Sequence, residues 1–459
     1  MTTETDYSLN RLRARARDLT FNNDLAATAV EVLQSALIGT GLRPKAMAKA
    51  KRRNRTAQDL WKNWAETTEV DPEGLLNIYA IQSLATRSLV ESGEVLLRRW
   101  PRRRSDGLAV PLQIQMLEAD HIDTSKSETL DGGNRIIQGV EYQGNRRVAY
   151  WLYPDHPGDS RLVRTTESAR VPAGDIVHLL EVLRPGQVRG IPRGTPCLLR
   201  IRDWDDYADA QLVRQKLAAC FVAFVHDIEA GDDNPAVAAA GFEEEAFEPG
   251  MTKQLPPGKS VTFGNPPGVE GFEDYARINF RGIASAFRVT YGELTQDYSQ
   301  ENFSSSRSAG IPIHRSRERL RRHTLIPHLG ARLWGWMIDA AVTDGRLDSP
   351  DVPAAWRAPR QFLTDPAREI PAQIRGVRSG FQSISGAIRE LGEEPEEIFD
   401  ELAEDYAAID ERGLVLETDG RVPVAGSPGA QGGEGGEGSG GAGGERKDGG
   451  DKGDEDAED

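Results

Sequence analysis

Between Trp204 and Ala340 the chain runs in one order: helix, Gly/Pro-rich insert, helix, polar Ser-rich loop, long basic helix. That order limits the fold more than any other feature. Ala210, Val213, Leu217, Phe221, Phe224, Val225 and Ile228 recur at three and four residues, which gives one apolar face to a helix read at 202–229. Gly231 to Pro235 ends it. In the insert that follows, Pro256-Pro257-Gly258 and Pro266-Pro267-Gly268 bracket a strand-like Ser260–Phe263. Helical spacing returns through Tyr275, Ile278, Ile283, Ala286 and Phe287, a helix read at 274–288. Two helices joined at their far end by an insert make an arm.

The flanks read differently. Residues 11–64 carry helical periodicity, with Leu25, Ala29, Leu33 and Leu37 stepping by four, Asn22, Asn23 and Asp24 as caps and Gly39 and Gly41 as the stop. Asp71-Pro72-Glu73-Gly74 is read as the opening of a second helix through Leu75, Tyr79, Ile81 and Leu84. From 94 to 180 the runs VLLRRW, LQIQMLEA, NRIIQGVEY, RRVAYWLY and DIVHLLEVL predict strands. Gln143-Gly144-Asn145 is the hairpin turn between two of them. Pro312 is expected to start a long helix carrying Arg315, Arg317, Arg319, Arg321 and Arg322, kinked at Pro327. Residues 368–413 read as helical, with Pro395 opening and Gly413 closing the last helix. Beyond Gly426 almost nothing is apolar, and that segment is expected to be disordered.

A chain of 459 residues exceeds what one core supports, since single cores stop growing near ~250–300 residues. Its mean hydropathy is -0.52 and it has no apolar run of the ~18 residues a membrane span needs. The amino terminus lacks the apolar stretch of a signal peptide. Cys197 and Cys220, the only cysteines, form no CxxC pair and read as buried thiols of a reducing compartment. The net charge of -16 argues against nonspecific DNA binding by the whole surface. Residues 424–459 carry 10 acids and 3 bases, which leaves a body that is acidic on its own account.

Candidate chemistry fails on spacing. Gly258-Lys259-Ser260 ends like a phosphate-binding loop, but Lys253 stands where that motif needs glycine. His323 and His328 are split by Pro327 and cannot present a zinc-hydrolase face. Asp203, Asp205 and Asp206 read as helix-start carboxylates rather than metal ligands. Ser304, Ser305 and Ser306 near His314 lack a nucleophile elbow. No catalytic constellation, cofactor or metal site is expected.

Three blocks of sequence resemble the lambda-type family of phage portal proteins. They are RARARDLTFNNDLAATAVEVLQSALIGTGLRPKA, RGIPRGTPCLLRIRDWDDYADAQLVRQKLAACFVAFV and FEDYARINFRGIASAFRVTYGELTQDYSQENFSSSRSAG. The first is similar to the family's Arg-rich opening, Asn-Asn pair, helix and Gly-x-Gly stop. The second is similar to its RG-x-P turn and YxDAxL helix, the third to its aromatic-x-x-Leu-x-x-Asp and Asn-aromatic-Ser-Ser-x-Arg pattern.

The resemblance implies an α+β, mainly α portal fold. Residues 1–195 would be a wing with a β-rich part at about 94–180, 196–230 and 272–289 the stem helices, and 231–271 a small clip. Residues 290–310 would be a tunnel loop, 311–367 a kinked long helix returning to the wing, 368–423 a helical crown, and 424–459 a disordered acidic tail. It implies a ring, typically a dodecamer, at one capsid vertex, with double-stranded DNA in its channel. Large terminase, major capsid protein, scaffold and head-completion or tail connector proteins would be partners, in the host cytoplasm during assembly and in the virion afterwards, with no membrane. Tyr291, Gln296, Asp297, Tyr298, Asn302, Phe303, Ser304, Ser305, Ser306 and Arg307 would line the tunnel loop. Leu217, Phe221, Phe224, Val225, Ile228, Ile278 and Ile283 would form the stem and its subunit contacts. Arg315, Arg319 and Arg322 would meet DNA or a neighbouring subunit. The rival classes are a phage nuclease or hydrolase, which would need a metal or nucleophile cluster, and a monomeric DNA-binding adaptor using the Arg-rich helices.

Overall fold

The computed structural model describes residues 8–158, 167–219, 223–227, 259–263, 271–299, 303–357, 366–391 and 395–414. Contacts divide the chain into two compact units, Met1–Glu393 and Glu394–Asp459. The fold is mixed α+β and mainly helical.

The first unit opens with α1 (Leu9–Asn22) and α2 (Asp24–Ile38). Asn23 separates them in extended backbone, and its side-chain oxygen accepts from the Ala26 N–H at 3.0 Å, which caps α2. Leu25, Ala29, Leu33 and Leu37 are all buried, as their spacing predicts. A short strand β1 (Arg43–Ala46) follows, then α3 (Lys51–Ala65) and α4 (Ile78–Glu91). The expected helix start at Asp71 is a turn instead. The Asp71 carboxylate accepts from the backbone of Glu73, Leu75 and Leu76, and Gly74 sits at φ +72, outside helical geometry. Asn77 supplies the actual cap.

The strand region contains β2 (Glu94–Pro101), β3 (Leu112–Glu118), β4 (Glu128–Thr129), β5 (Arg135–Ile137), β6 (Val140–Gln143), β7 (Arg146–Leu152), β8 (Ala169–Pro172) and β9 (Ile176–Leu180). They form two antiparallel sheets, ordered β3-β2-β9 and β4-β5-β6-β7-β8. The turn at Gly144 is present as predicted, between Gln143 and Arg146. The run 134–142, however, is two strands and not one. Gln138 (φ 51) and Gly139 (φ 76) make a two-residue turn pairing Ile137 with Val140, a backbone that favours glycine at its second position.

Strand β2 is buried on both faces. Val95 and Leu97 point into the large core with α2, α3 and α4, while Leu96 points into a smaller core with Ile122, Val140, Tyr150 and Leu152. One strand therefore joins the helical and β-rich parts.

The arm region departs from the expected layout. Helix α5 (Leu198–Ala219) stops short of the predicted 229, and Ala223–Asp227 is strand β10, paired antiparallel with β11 (Lys259–Phe263). Phe224 and Val225 thus belong to a strand, because an aromatic and β-branched run with a partner of like composition favours extended backbone. Leu217 lies in α5; Phe221, Ile228 and most of the 231–271 insert lie outside the described residues. Since α5 begins at Leu198, Asp203, Asp205 and Asp206 fall in its second turn and are not its caps.

Helices α6 (Phe272–Phe287) and α7 (Tyr291–Thr295) precede α8 (Phe303–Leu320), which begins before Pro312 and contains it. The chain then widens into a π-helix, Arg321–Gly330, that holds Pro327, and returns to α9 (Ala331–Thr343). A widened turn removes the clash between a proline ring and the carbonyl four residues earlier. Trp334 of α9 and Trp64 of α3 flank Trp61, with ring centroids 5.5 and 5.6 Å away. Strand β12 (Ala354–Arg357) pairs with β1, a long-range contact the sequence did not signal. Helices α10 (Pro366–Arg378) and α11 (Ile384–Glu390) complete the described part of this unit. In the second unit α12 (Pro395–Glu411) opens at Pro395 and is followed by Gly413 at φ +64, as predicted. The 424–459 tail lies outside the described residues.

Candidate functional site

The densest set of buried polar contacts lies at the root of the arm, where α5, α6, α7 and α8 meet the β-rich part, and only some of the predicted site residues lie there. Helices α5 and α6 are locked together by aromatic rings. Trp204 lies 4.8 Å from Phe280 and 5.7 Å from Phe272, and Tyr207 lies 4.6 Å from Tyr275. Asn23 donates to both oxygens of Asp205, at 2.9 and 3.1 Å, so the residue that caps α2 also holds α5.

The Arg189-Gly190-Ile191-Pro192 turn anchors this root to the sheet. Glu94, at the start of β2, is wholly buried. Its Oε1 accepts from Arg189 at 2.9 and 2.6 Å, and its Oε2 accepts from the Gly190 N–H at 2.6 Å and from His178 at 2.9 Å. Arg13 of α1 adds a second buried guanidinium 3.4 Å away. Burial opposes ionisation of Glu94, but Arg189 and His178 outweigh it and hold the carboxyl well below its ordinary range. Burial pushes the His178 imidazole below its own ordinary range, and Arg147 donates to its Nδ1 at 3.0 Å, so the neutral ring donates from Nε2 to Glu94. Gly190 is required here: a Cβ would lie 2.1 Å from the Gly93 carbonyl oxygen.

Arg193, one residue past the motif, donates to the Phe287 carbonyl at the end of α6 and pairs with Glu181 at 3.0 Å. Glu181 also accepts from Arg319 at 3.2 Å. Arg317 grips Glu293, and Arg321 donates to the Ala36 and Leu37 carbonyls at the end of α2, where a cation also offsets the helix dipole. The basic helix and the turn after it are thus braced at three arginines. Arg315 makes no ion pair among the described residues; Arg322, also exposed, pairs with Glu318 one turn back at 2.8 Å.

The tunnel-loop prediction is divided by the structure. Tyr291 lies in α7, under Arg281 at 5.9 Å, and Gln296 ends that helix in left-handed backbone at φ +58. Asp297 and Tyr298 are exposed. Hydrogen bonds from Ser299 hold the Asp297 carboxyl below its ordinary range. Asn302 is outside the described residues, while Phe303, Ser304, Ser305, Ser306 and Arg307 form the first turns of α8 and not a loop. Ile278 is 65% exposed, whereas Ile283 is fully buried in the chain's own core and serves the fold rather than a subunit contact.

Sequence reading missed the anchors Glu94, His178, Glu181 and Glu293. One carried a signal: His178 interrupts an otherwise apolar strand, which marks a buried polar partner. Glu118, Asp120 and His156 also gather closely enough to hold a cation, but Arg17 already donates there, at 2.9 Å to Glu118 and 2.6 Å to Asp120.

Comparison with known proteins assigns this architecture to a class. Residues 1–321 match the model of the family described as phage portal protein, lambda family, and the chain belongs to that family. It is 27% identical over 434 residues to a probable portal protein of Halomonas phage phiHAP-1, covering 88% of this chain and 81% of that one. Solved structures that resemble it include the neck of an empty gene transfer agent particle computed with C6 symmetry. That match has a TM-score of 0.48 and 16% identity, over 83% of this chain and 93% of that one. A portal protein of the HK97 family from Corynebacterium diphtheriae gives a TM-score of 0.33 and 12% identity, over 78% and 98%. A member of this family is a virion component without enzymatic activity.

Proposed function

We propose that the chain forms a closed ring, a dodecamer as the family implies, around double-stranded DNA at one capsid vertex. Terminase would drive DNA in through the ring, and head-completion and tail proteins would attach to it for ejection. Supporting this is one observation above the rest. The α5–α6 arm is zipped internally by Trp204 and Phe280, yet it leaves Leu199 69%, Val213 55% and Ile278 65% exposed along its length. Apolar residues in such number along a braced arm fit burial by a second copy. In this reading residues 1–195 are the wing, 231–271 the clip, 290–310 the channel-facing segment and 368–423 the crown. The β10–β11 pairing ties the chain just before the insert to a strand in the insert's second half, which fits a clip at the tip of an arm.

Exposed Arg315 and Arg322 favour a second reading, a monomeric adaptor that binds DNA through α8 and the π-helical turn after it. Native mass of the purified protein separates the two. A closed ring of identical subunits supports the portal assembly, and a monomer at micromolar concentration overturns it.

A further inference from the structure

A second basic surface lies away from the arm, on the β-rich part. Beyond Leu97 strand β2 emerges from the core, and Arg98, Trp100 and Arg102 alternate onto one face of the extended chain. Arg102 stacks over the Trp100 ring, its Cζ 4.7 Å from the centroid. Its Nε donates to Gln113 Oε1 at 2.6 Å, and Gln113 in turn donates to the Glu69 carbonyl at 2.7 Å. The guanidinium and the indole are therefore fixed before any ligand arrives. Trp100 remains 40% exposed.

Charge pairing divides this arginine run in two. Arg99 pairs with Asp175 at 2.6 Å and Arg104 with Asp344 at 3.6 Å. Arg98, Arg102 and Arg103 make no ion pair among the described residues. In a chain of 56 basic and 72 acidic residues, Arg98 and Arg102 share the face of an exposed indole without an ion pair, and exposed Arg103 follows next in the chain, its N–H donating to the Asp106 carboxylate at 3.2 Å. Guanidinium forks match phosphate oxygens, and a tryptophan stacked on arginine offers a flat π-face to a sugar or base. A carboxylate-bearing peptide would use the arginines but has no use for that face.

We propose that Arg98, Trp100, Arg102 and Arg103 form a nucleic-acid contact surface that binds the phosphodiester backbone, with the indole packing on a sugar or base. The surface lies on the β-rich part and does not depend on the ring reading.

Anisotropy titration of the full-length protein against a labelled DNA duplex and a labelled single strand, across a salt series, tests it. An Arg98→Ala/Arg103→Ala variant should bind at least about tenfold more weakly, with the log–log salt slope lower by about two. Trp100→Ala should weaken binding several-fold, more on the single strand if the indole stacks on bases and equally on both if it packs on the backbone. Arg98 and Arg103 are exposed, so thermal unfolding of that variant should be unchanged and serves as the folding control, while Trp100→Ala gives up the Arg102 stack and is compared with Trp100→Phe, which keeps a ring there. The proposal is overturned if the wild-type protein binds neither probe, if the variants bind as the wild type does, or if poly-glutamate displaces the DNA as effectively as unlabelled DNA.

Discussion

Arg317 holds the Glu293 carboxylate with both terminal nitrogens, at 2.8 and 2.7 Å, and so ties the long basic helix to the short helix before the polar segment. Glu293 does double duty, since its Oε2 also accepts from the Thr290 N–H at 2.8 Å in a capping box. Burial opposes its charge, yet Arg317 keeps the carboxyl below its ordinary range.

Arg317→Ala should therefore cost about 2 kcal/mol, the scale of a charged hydrogen bond lost from a half-buried carboxylate. Urea unfolding measures the loss. Hydrogen exchange over 291–299 should rise more than over α2, and uniform exchange across both would show that the pair does not brace the segment.

Glu94→Gln should be more severe. It leaves Arg189 buried without its counter-charge and Arg13 with only Asp120 at 3.6 Å, and removing one partner of a buried pair costs about 3–5 kcal/mol. A fall in Tm of only one or two degrees would contradict the placement of Glu94 at the centre of this network.

Acid should destabilise the protein in two steps. The folded His178 has a lowered pKa and stays neutral, while the unfolded chain takes up that proton below 6.5. Glu94, also lowered, stays ionised while the unfolded carboxyl protonates near 4.5. In both cases the unfolded state binds more protons, so stability falls as pH falls. Tm should be flat above neutrality, decline from about pH 6.5 and drop steeply below about 4.5. His178→Gln should shrink the first step to the part that His328, also lowered by burial, contributes, and an unaltered pH profile in that variant would refute the assignment.

Gly190→Ala and Gly282→Ala offer a contrast within the same root. The first drives a methyl into the Gly93 backbone, and overpacking against backbone should cost roughly 3 kcal/mol or more. The second meets only the tip of Arg200, which can swing away, and should cost under about 1 kcal/mol. Equal melting temperatures would mean that the Gly93–Gly190 approach is not as close as described.

Ile278→Asp should leave the folded subunit intact, because the side chain faces solvent, and yet abolish the ring. Native mass spectrometry reads the assembly and thermal unfolding the fold. Rings that form normally with aspartate at 278 would remove that residue from the subunit seam.

Local chemistry was legible in the sequence where it acts within a few residues. The α2 cap and stop, the Gly144 turn, the strands of the 94–180 region and the Pro395 helix start follow from short patterns. The failures have a common cause in long-range pairing. Nothing in Arg43–Ala46 points to Ala354–Arg357, and the pairing is accompanied by a contact between Trp356 and Trp61 that no local pattern signals. The apolar period through Phe224 and Val225 fits helix and strand alike, and the choice is made by Lys259–Phe263. At the root, the motif RG-x-P was visible, but its meaning resides in Glu94, 95 residues away from Arg189.

The π-helical stretch around Pro327 has a mechanical meaning. A π turn holds more residues than an α turn, so every residue between Arg321 and Gly330 advances the side chains by a smaller angle than α8 does. The stretch works as a phase shifter between the two helices it joins. Arg315 on α8 and Trp334 on α9 are set at an angle that an uninterrupted α-helix of this length would not give. Arg315 can look outward while Trp334, buried against Trp61, looks inward. Change the gearing at Pro327, and either the cations or the core must turn the wrong way.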